Sequence, residues 1–155
     1  MAIWQYQIRM IPKPEYEEKK DQFLVNRDLF FEDIKGWDRD KLNTEFLDKY
    51  LEQREHWSES VLLWGNEETT DVQLFIEDDS IEEVSFRIDL RDEKVKEFFE
   101  MIINFSKENN AILFNADNDP IDPNKESILK DIKKSASYKF ISNPEQFFDD
   151  LESKK

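Results

Sequence analysis

The sequence predicts an α+β fold, a single two-layer domain in which helices pack mainly on one face of a mixed, mostly antiparallel sheet of about four to six strands. Three observations support this prediction. Residues 72–76 and 84–90 alternate apolar and polar side chains around an acidic turn, as in a β-hairpin. Residues 93–108 repeat apolar side chains at helical spacing. The 155 residues fit one domain, expected to span residues 1–152, with residues 153–155 frayed.

The first 60 residues contain a strand pattern, an ambiguous stretch and a helix pattern. Apolar and polar residues alternate over residues 2–11, which predicts a strand that Pro12 and Pro14 end. Residues 15–37 contain apolar clusters that fit either short strands or packed irregular chain. Beginning at Asp38, a good N-cap residue, the spacing of apolar residues predicts a helix of roughly four turns. Its apolar face would contain Leu42, Phe46, Leu47, Tyr50 and Leu51.

The middle of the chain predicts strands joined to a helix. The apolar run at residues 61–64 predicts a buried strand, which the hairpin with its acidic turn follows. The segment 83–90, the helix 93–108 and the apolar segment 111–114 are expected to form a right-handed crossover. Because the strands of such a crossover are parallel, we expect a mixed sheet.

Three more elements are predicted near the C-terminus. Asp122 and Pro123 indicate the start of a helix. Residues 138–141 are expected to form a short edge strand. A capping box at residues 143–146 then predicts a last helix, whose buried side would contain Phe147, Phe148 and Leu151.

Several chemistries are excluded by residue types that the chain lacks. There is no cysteine and His56 is the only histidine, which excludes thiol nucleophiles, cysteine-ligated zinc, iron–sulfur clusters and histidine-rich metal sites. Gly36 and Gly65 stand alone, so neither a Walker nor a Rossmann phosphate loop can be written. The sequence therefore favours a protein that is not an enzyme, and it predicts no cofactor.

The chain is strongly acidic, with a formal net charge of −15. Residues 61–100 contain 13 acidic and 4 basic residues, a net charge of −9. Such a field repels nucleic-acid phosphates and anionic membranes, so a partner is expected to be a basic protein. The other interpretation is that the charge only keeps a Phe-rich domain soluble. Since neither an apolar run of ~20 residues nor a secretory signal is found, a cytoplasmic location is expected.

The main hypothesis is a non-enzymatic acidic binding protein that docks a basic protein, in the manner of an inhibitor, an immunity-type protein or a nucleic-acid mimic. The acids around the hairpin are the candidate partner-binding residues: Glu67, Glu68, Asp71, Glu77, Asp78, Asp79, Glu82 and Glu83. Four aromatic residues would anchor a partner wherever they are exposed: Trp4, Tyr6, Trp57 and Trp64. The alternative is a solvated acidic turn without a partner.

Residues 115–126 indicate a weak metal site. Oxygen ligands occur at the first, third, fifth and twelfth positions, as in a calcium-binding EF-hand loop: Asn115, Asp117, Asp119 and Glu126. Pro120 stands where that loop needs a sharply turning Gly, so the segment also fits a turn followed by a helix cap.

His56 and Glu59 would form an i, i+3 pair, suited to general base chemistry or to half of a metal site, if the helix from Asp38 extended that far. A second class of function therefore stays open. It comprises a small-ligand or divalent-cation binding domain and a carboxylate-based hydrolase with an aromatic cleft. With 37 acidic residues, no particular pair of carboxylates stands out for hydrolysis.

Overall fold

A computed structural model of the protein describes residues 4–135 and residue 138. The described chain contains helices and an open sheet of 8 strands, in which the strand pairings are antiparallel. The strands are β1 (Gln5–Pro12), β2 (Trp37–Asp38), β3 (Gln53–Arg54), β4 (Val61–Gly65), β5 (Asp71–Glu77), β6 (Ser80–Asp89), β7 (Ala111–Asn115) and β8 (Pro120–Ile121). The helices are α1 (Lys13–Glu18), α2 (Lys20–Val25), α3 (Arg27–Asp33), a 3-10 helix (Thr44–Lys49), α4 (Val95–Glu108) and α5 (Lys125–Lys134).

The order of the strands is β3-β4-β5-β6-β1-β7-β8, and β2 pairs with β6 outside this path. The α+β content and the antiparallel character of the sheet are confirmed. The expected number of four to six strands is not confirmed. Strands β2, β3 and β8, each only two residues long, bring the sheet to 8 strands.

The expected connection of two parallel strands through a helix is present, since α4 joins β6 and β7, but these strands are not adjacent and the expected mixed sheet is wrong. Strand β1 lies between β6 and β7: Ile8 pairs with Phe86 on one side and with Asn115 on the other. Since both neighbours are antiparallel to β1, they run parallel to each other without being adjacent. Strand β1 contributes to a core on each face, with Met10 in the main core and Ile11 in a second core.

The two cores lie on opposite faces of the sheet, because successive residues of a strand point to opposite sides. The main core joins β1 and β4–β7 to α4 and α5. The second core joins β1 and β7 to α1–α3, and it contains Ile11, Tyr16, Phe23, Phe30, Ile34, Ile112 and Phe114. Helices therefore cover both faces, and the expected packing mainly on one face is not confirmed.

Residues 15–37 form mostly short helices, and both sequence interpretations of this stretch are wrong. Tyr16, Phe23 and Phe30 each provide the buried ring of one helix. These three aromatic residues are spaced seven residues apart, a distance close to two helical turns. This spacing was the one feature of the sequence that indicated helices here. The three rings pack edge to face, with Phe23 and Phe30 5.2 Å apart between ring centroids. Asn26 caps α3 by accepting a hydrogen bond from the Leu29 N–H.

The predicted helix from Asp38 is also wrong. Asp38 pairs with Ser80 in the sheet, and the next N–H, of Arg39, donates to the Asp79 carbonyl. Because the backbone at Asp38 and Arg39 is hydrogen-bonded to β6 and the hairpin turn, a helix cannot start there. Helical structure in the predicted helix is limited to the 3-10 helix at Thr44–Lys49. The apolar face was nevertheless informative, because Leu42 and Leu47 are buried in the main core.

Near the C-terminus, α5 begins two residues later than predicted. Its N-cap is Asn124, whose side chain accepts from the Ser127 N–H. The predicted edge strand at 138–141, except Tyr138, and the last helix lie outside the described residues. No helix among residues 4–135 is long and apolar enough to cross a membrane.

Candidate functional site

The acidic turn of the hairpin is held at one end of the sheet by three strands. Glu77 of β5 pairs with Ser80 of β6, so Asp78 and Asp79 form a two-residue turn. Asp78 has a φ of 55°, a left-handed conformation that Asp tolerates better than most residues. Strand β2 pairs with the same end of β6 and fixes the turn from the other side. The turn therefore projects its carboxylates from a rigid base.

Four of the acids around this turn are not neutralised. Glu77, Asp78 and Asp79 are exposed, and Glu82 is half-buried. We call these four residues the acidic tip. Within the described part of the chain, none of them forms an ion pair. Glu83, the next acid, differs because Arg9 pairs with it at 2.8 Å.

Among the four candidate anchor residues, only Trp57 is strongly exposed. Tyr6 and Trp64 are each 2% exposed. Trp4 is half-buried, with the Arg91 guanidinium 4.1 Å from the centre of its ring. Trp57, by contrast, is 89% exposed. It therefore presents nearly its whole indole to solvent.

Trp57 lies on a loop, residues 55–60, that is tied to the acidic hairpin. We call it the Trp57 loop. Its last residue, Ser60, accepts a hydrogen bond of 2.8 Å from the N–H of Ile76. Ile76 directly precedes Glu77, the first residue of the acidic tip. The loop that presents the exposed indole is thus hydrogen-bonded to the strand that leads into the acidic tip.

His56 supports Trp57 from within this loop. The imidazole side chain is 6% exposed, and its ring centroid lies 5.2 Å from that of Trp57. Nδ1 accepts a 3.0 Å hydrogen bond from the N–H of Ser58. Nε2 lies 3.9 Å from a carboxylate oxygen of Glu67. Because residues 56–59 are not helical, the predicted i, i+3 arrangement of His56 and Glu59 on a helix does not occur.

Glu67 connects His56 to a buried charge pair on the same side of the sheet. Arg87 donates to both carboxylate oxygens of Asp71, with Nε at 2.9 Å from the first. Gln73 donates to Asp71 at 3.1 Å and to Glu67 at 3.3 Å. Burial raises the pKa of the Asp71 carboxyl, although the hydrogen bonds and the charge of Arg87 offset part of that rise. The hydrogen bond to Asp71 in turn raises the pKa of Arg87, which stays charged.

The eight candidate partner-binding acids are therefore divided. The structure brings the acidic tip together, whereas Glu67 and Glu68 lie on the loop at the other end of β5. Asp71 is fully buried and paired. Sequence reasoning missed the pairing of Asp71 with Arg87, although the two residues stand opposite each other in the predicted hairpin. Finding it requires the exact register, which an irregularity between Phe75 and Ile76 shifts.

The four candidate metal ligands do not converge. The Asn115 side-chain oxygen accepts from the N–H groups of Asp117 and Asp119, so it faces its own loop. Asp119 pairs with Arg27 at 2.7 Å, and Glu126 lies on α5, 3.4 Å from the ammonium of Lys130. Over residues 4–135, no group of three His, Asp or Glu side chains is arranged to hold a metal ion.

A cavity of about 700 Å³ lies between the start of β1, the loop before β8, and α5. The Tyr6 hydroxyl donates to Asp131 at 2.6 Å, and the Asn115 amide donates to the other Asp131 oxygen at 2.7 Å. Burial raises the pKa of Tyr6 well above its ordinary value, and the negative charge of Asp131 adds to that rise. This network joins α5 to β1 and β7, and it uses both oxygens of Asp131.

The comparisons with known proteins identify no relative. No family model matches the sequence, and neither the curated proteins nor the solved structures provide a match. A function for this chain is therefore inferred from its own geometry.

Proposed function

We propose that the protein is a non-enzymatic binding protein that docks a basic protein through the acidic tip and Trp57. It would act by covering the partner's surface, as an inhibitor, an immunity-type protein or a nucleic-acid mimic does. One observation carries the proposal: Trp57 is 89% exposed on a loop that is hydrogen-bonded to the hairpin of the acidic tip. An exposed indole on a loop that is bonded to a strand ending in unpaired carboxylates is a combination suited to an interface.

The two parts of this surface would make different contributions. Tryptophan is among the residues that most often dominate binding energy, and its ring buries about 150–250 Å². Its face also attracts Lys and Arg side chains. The unpaired carboxylates of the acidic tip would raise the association rate and discriminate against acidic partners. Glu55 and Glu59, both exposed on the Trp57 loop, add to the same negative field.

The rigidity of the surface also favours recognition. The acidic tip projects from paired strands, and the Trp57 loop is held by hydrogen bonds at Ser58 and Ser60. Side chains that are already ordered lose less conformational entropy on binding.

The experiment is affinity capture from the source lysate at low salt, with three baits. The first is the native protein. The second neutralises the acidic tip by Glu77→Gln, Asp78→Asn, Asp79→Asn and Glu82→Gln; Asn keeps the left-handed turn at residue 78 accessible. The third is a control with the same change in charge at exposed acids of α1 and α4: Glu17→Gln, Glu18→Gln, Glu97→Gln and Glu108→Gln.

We expect the native and control baits to retain the same basic protein, and the tip variant to lose most of it. Trp57→Ala should weaken binding at least tenfold, since anchor residues commonly contribute more than ~1.4 kcal/mol. The matched control is Val25→Ala, which removes another exposed apolar side chain, 87% exposed on α2, the helix that packs with α1 and α3 over β1 and β7. Equal recovery from all baits would refute the proposal.

The cavity supports a second candidate function, the binding of a small ligand. Most of its lining residues are polar or charged, and Tyr16, Lys130 and Asp131 are among the side chains that a polar ligand would contact. A thermal-shift screen with sugars, small anions and divalent cations tests this function. A shift that Lys130→Ala abolishes would support it, and no shift with any compound would contradict it.

A further inference from the structure

The hydrogen bond between Ser58 and His56 defines the protonation of the ring. A backbone N–H can only donate, so Nδ1, which lies 3.0 Å from the Ser58 nitrogen, must be the unprotonated acceptor. In the neutral ring the proton is then on Nε2, the nitrogen that faces Glu67. One of the bonds that hold the Trp57 loop thus exists only while His56 is neutral.

We propose that His56 is a pH-sensitive positioning residue for Trp57. As a neutral imidazole it accepts the Ser58 N–H and holds the loop; as an imidazolium it releases that bond and the indole changes its environment. This inference deepens the proposed function, on which its biological meaning rests, because it assigns a regulation to the same surface. Imidazole is the side chain whose charge ordinarily changes between pH 5 and 8.

Protonation acts on both sides of the ring. A proton on Nδ1 turns the acceptor into a donor that faces another donor, so the bond from Ser58 must break. At the same time the positive charge is attracted to Glu67, whose oxygen lies 3.9 Å from Nε2. The ring lies tilted against Trp57 at a centroid distance of 5.2 Å and its side chain is nearly buried, so its displacement also moves the contact with the indole.

Other charged groups lie near His56 and Glu67. Behind Glu67, Arg87 lies 3.6 Å from the same Glu67 oxygen, and its charge is already paired with Asp71. Arg54 of β3 and the two acids of the Trp57 loop flank the ring along the chain: Glu55 and Glu59. Of these groups, Glu67 is the one that the structure places against a ring nitrogen.

The test is nuclear magnetic resonance of the full chain between pH 8 and pH 5, following the Ser58 amide, the Trp57 indole N–H and the His56 ring. We expect the first two signals to shift with the same midpoint as the titration of the ring. Glu67→Gln removes the carboxylate that faces Nε2 and provides a second comparison for the three signals.

The informative variant is His56→Asn. An Asn side-chain oxygen accepts the N–H two residues later in an Asx-turn, so it preserves the bond to Ser58 without titrating. We expect the Ser58 and Trp57 signals of this variant to stay constant over the whole pH range. The variant also retains a short polar side chain, which keeps the loop closed.

Three results would overturn the inference: constant Ser58 and Trp57 signals while the ring titrates, a ring that does not titrate in the folded protein, or the same transition in His56→Asn. No partner is needed for this measurement. Failure of the capture experiment with a normal His56 transition would therefore refute the proposed function alone, and the reverse combination would refute the pH dependence alone.

Discussion

At the scale of single residues, the pair formed by Asp71 and Arg87 shows how a buried charge is tolerated. Asp71 is fully buried, and each of its oxygens accepts a hydrogen bond from the guanidinium. Such a pair contributes less to stability than the loss of either partner would cost, because an isolated buried charge remains after the loss. The pair also positions Glu67, and through Glu67 the ring of His56.

Arg87→Met tests this dependence. The change leaves the Asp71 carboxylate buried without its positive partner, so the free energy of unfolding at pH 7 should fall by about 3–5 kcal/mol. Because burial already raises the pKa of Asp71, the folded state takes up a proton more readily than the unfolded state above the ordinary Asp pKa of ~3.9. The contribution of Asp71 to the free energy of unfolding therefore decreases as the pH rises. The stability that the variant loses relative to the native protein should accordingly be smaller at pH 4 than at pH 7.

Urea unfolding of the native protein and the variant at both pH values provides the measurement. The control is Lys130→Met, which removes one partner of an exposed pair with Glu126 and should cost less than ~1 kcal/mol. If the two variants lose the same free energy of unfolding, Arg87 does not stabilise the buried carboxylate of Asp71.

At the scale of elements, the three short helices α1–α3 depend on a carboxylate that closes their ends. Glu15 of α1 accepts hydrogen bonds from the N–H of Lys35, just beyond α3, at 2.8 Å and from the ammonium of Lys19 at 3.1 Å. Burial opposes the charged form of Glu15, but the Lys35 N–H and the Lys19 ammonium outweigh it and lower the pKa of the carboxyl.

Glu15→Gln should reduce stability at neutral pH and have no effect in strong acid. A lowered pKa in the folded state contributes stability above the ordinary Glu pKa of ~4.3, and that contribution is lost as the pH falls through the folded value. Thermal unfolding of native protein and variant at pH 7 and pH 2 measures the difference. Glu18→Gln, an exposed change on the same helix, should leave both temperatures unchanged; a gap that persists at pH 2 would contradict the account.

The elements that the sequence predicts are those with a long and regular pattern. Strands β5 and β6 and helix α4 repeat their apolar residues over seven to 14 positions, and the predicted elements are confirmed. Helices α1–α3 have six or seven residues each, too few for a period to be visible within one helix. The helix predicted from Asp38 failed because pairing with Ser80 is a long-range contact that local spacing cannot reveal.

The candidate site is predictable to a similar extent. The acidic tip is a local feature of a hairpin turn and could be located from the sequence. The exposure of Trp57 and the burial of Trp64 could not, because both follow from where β3 and β4 join the sheet. The contact of His56 with Glu67 joins two loops on either side of β4, so it depends on the folded sheet.

At the scale of the whole molecule, the proposed binding surface lies away from the part of the sheet that is covered on both faces. Apolar cores cover both faces of β1 and β7, whereas the acidic tip and the Trp57 loop lie towards β4–β6. The net charge of −15 acts over the whole surface, but ions screen it beyond ~10 Å at 0.1 M salt. Only the charges near the contact should therefore determine how strongly binding depends on salt.

The central claim is that the acidic tip itself contacts the basic partner. The most direct measurement is the dissociation constant of the captured partner as a function of salt concentration, for the native protein, the tip variant and the control variant on α1 and α4. We expect binding by the native protein and by the control to weaken steeply and in parallel as salt increases, while the tip variant binds weakly with a shallow dependence. Three parallel curves would contradict it, since the tip would then contribute no more than any other acidic part of the surface.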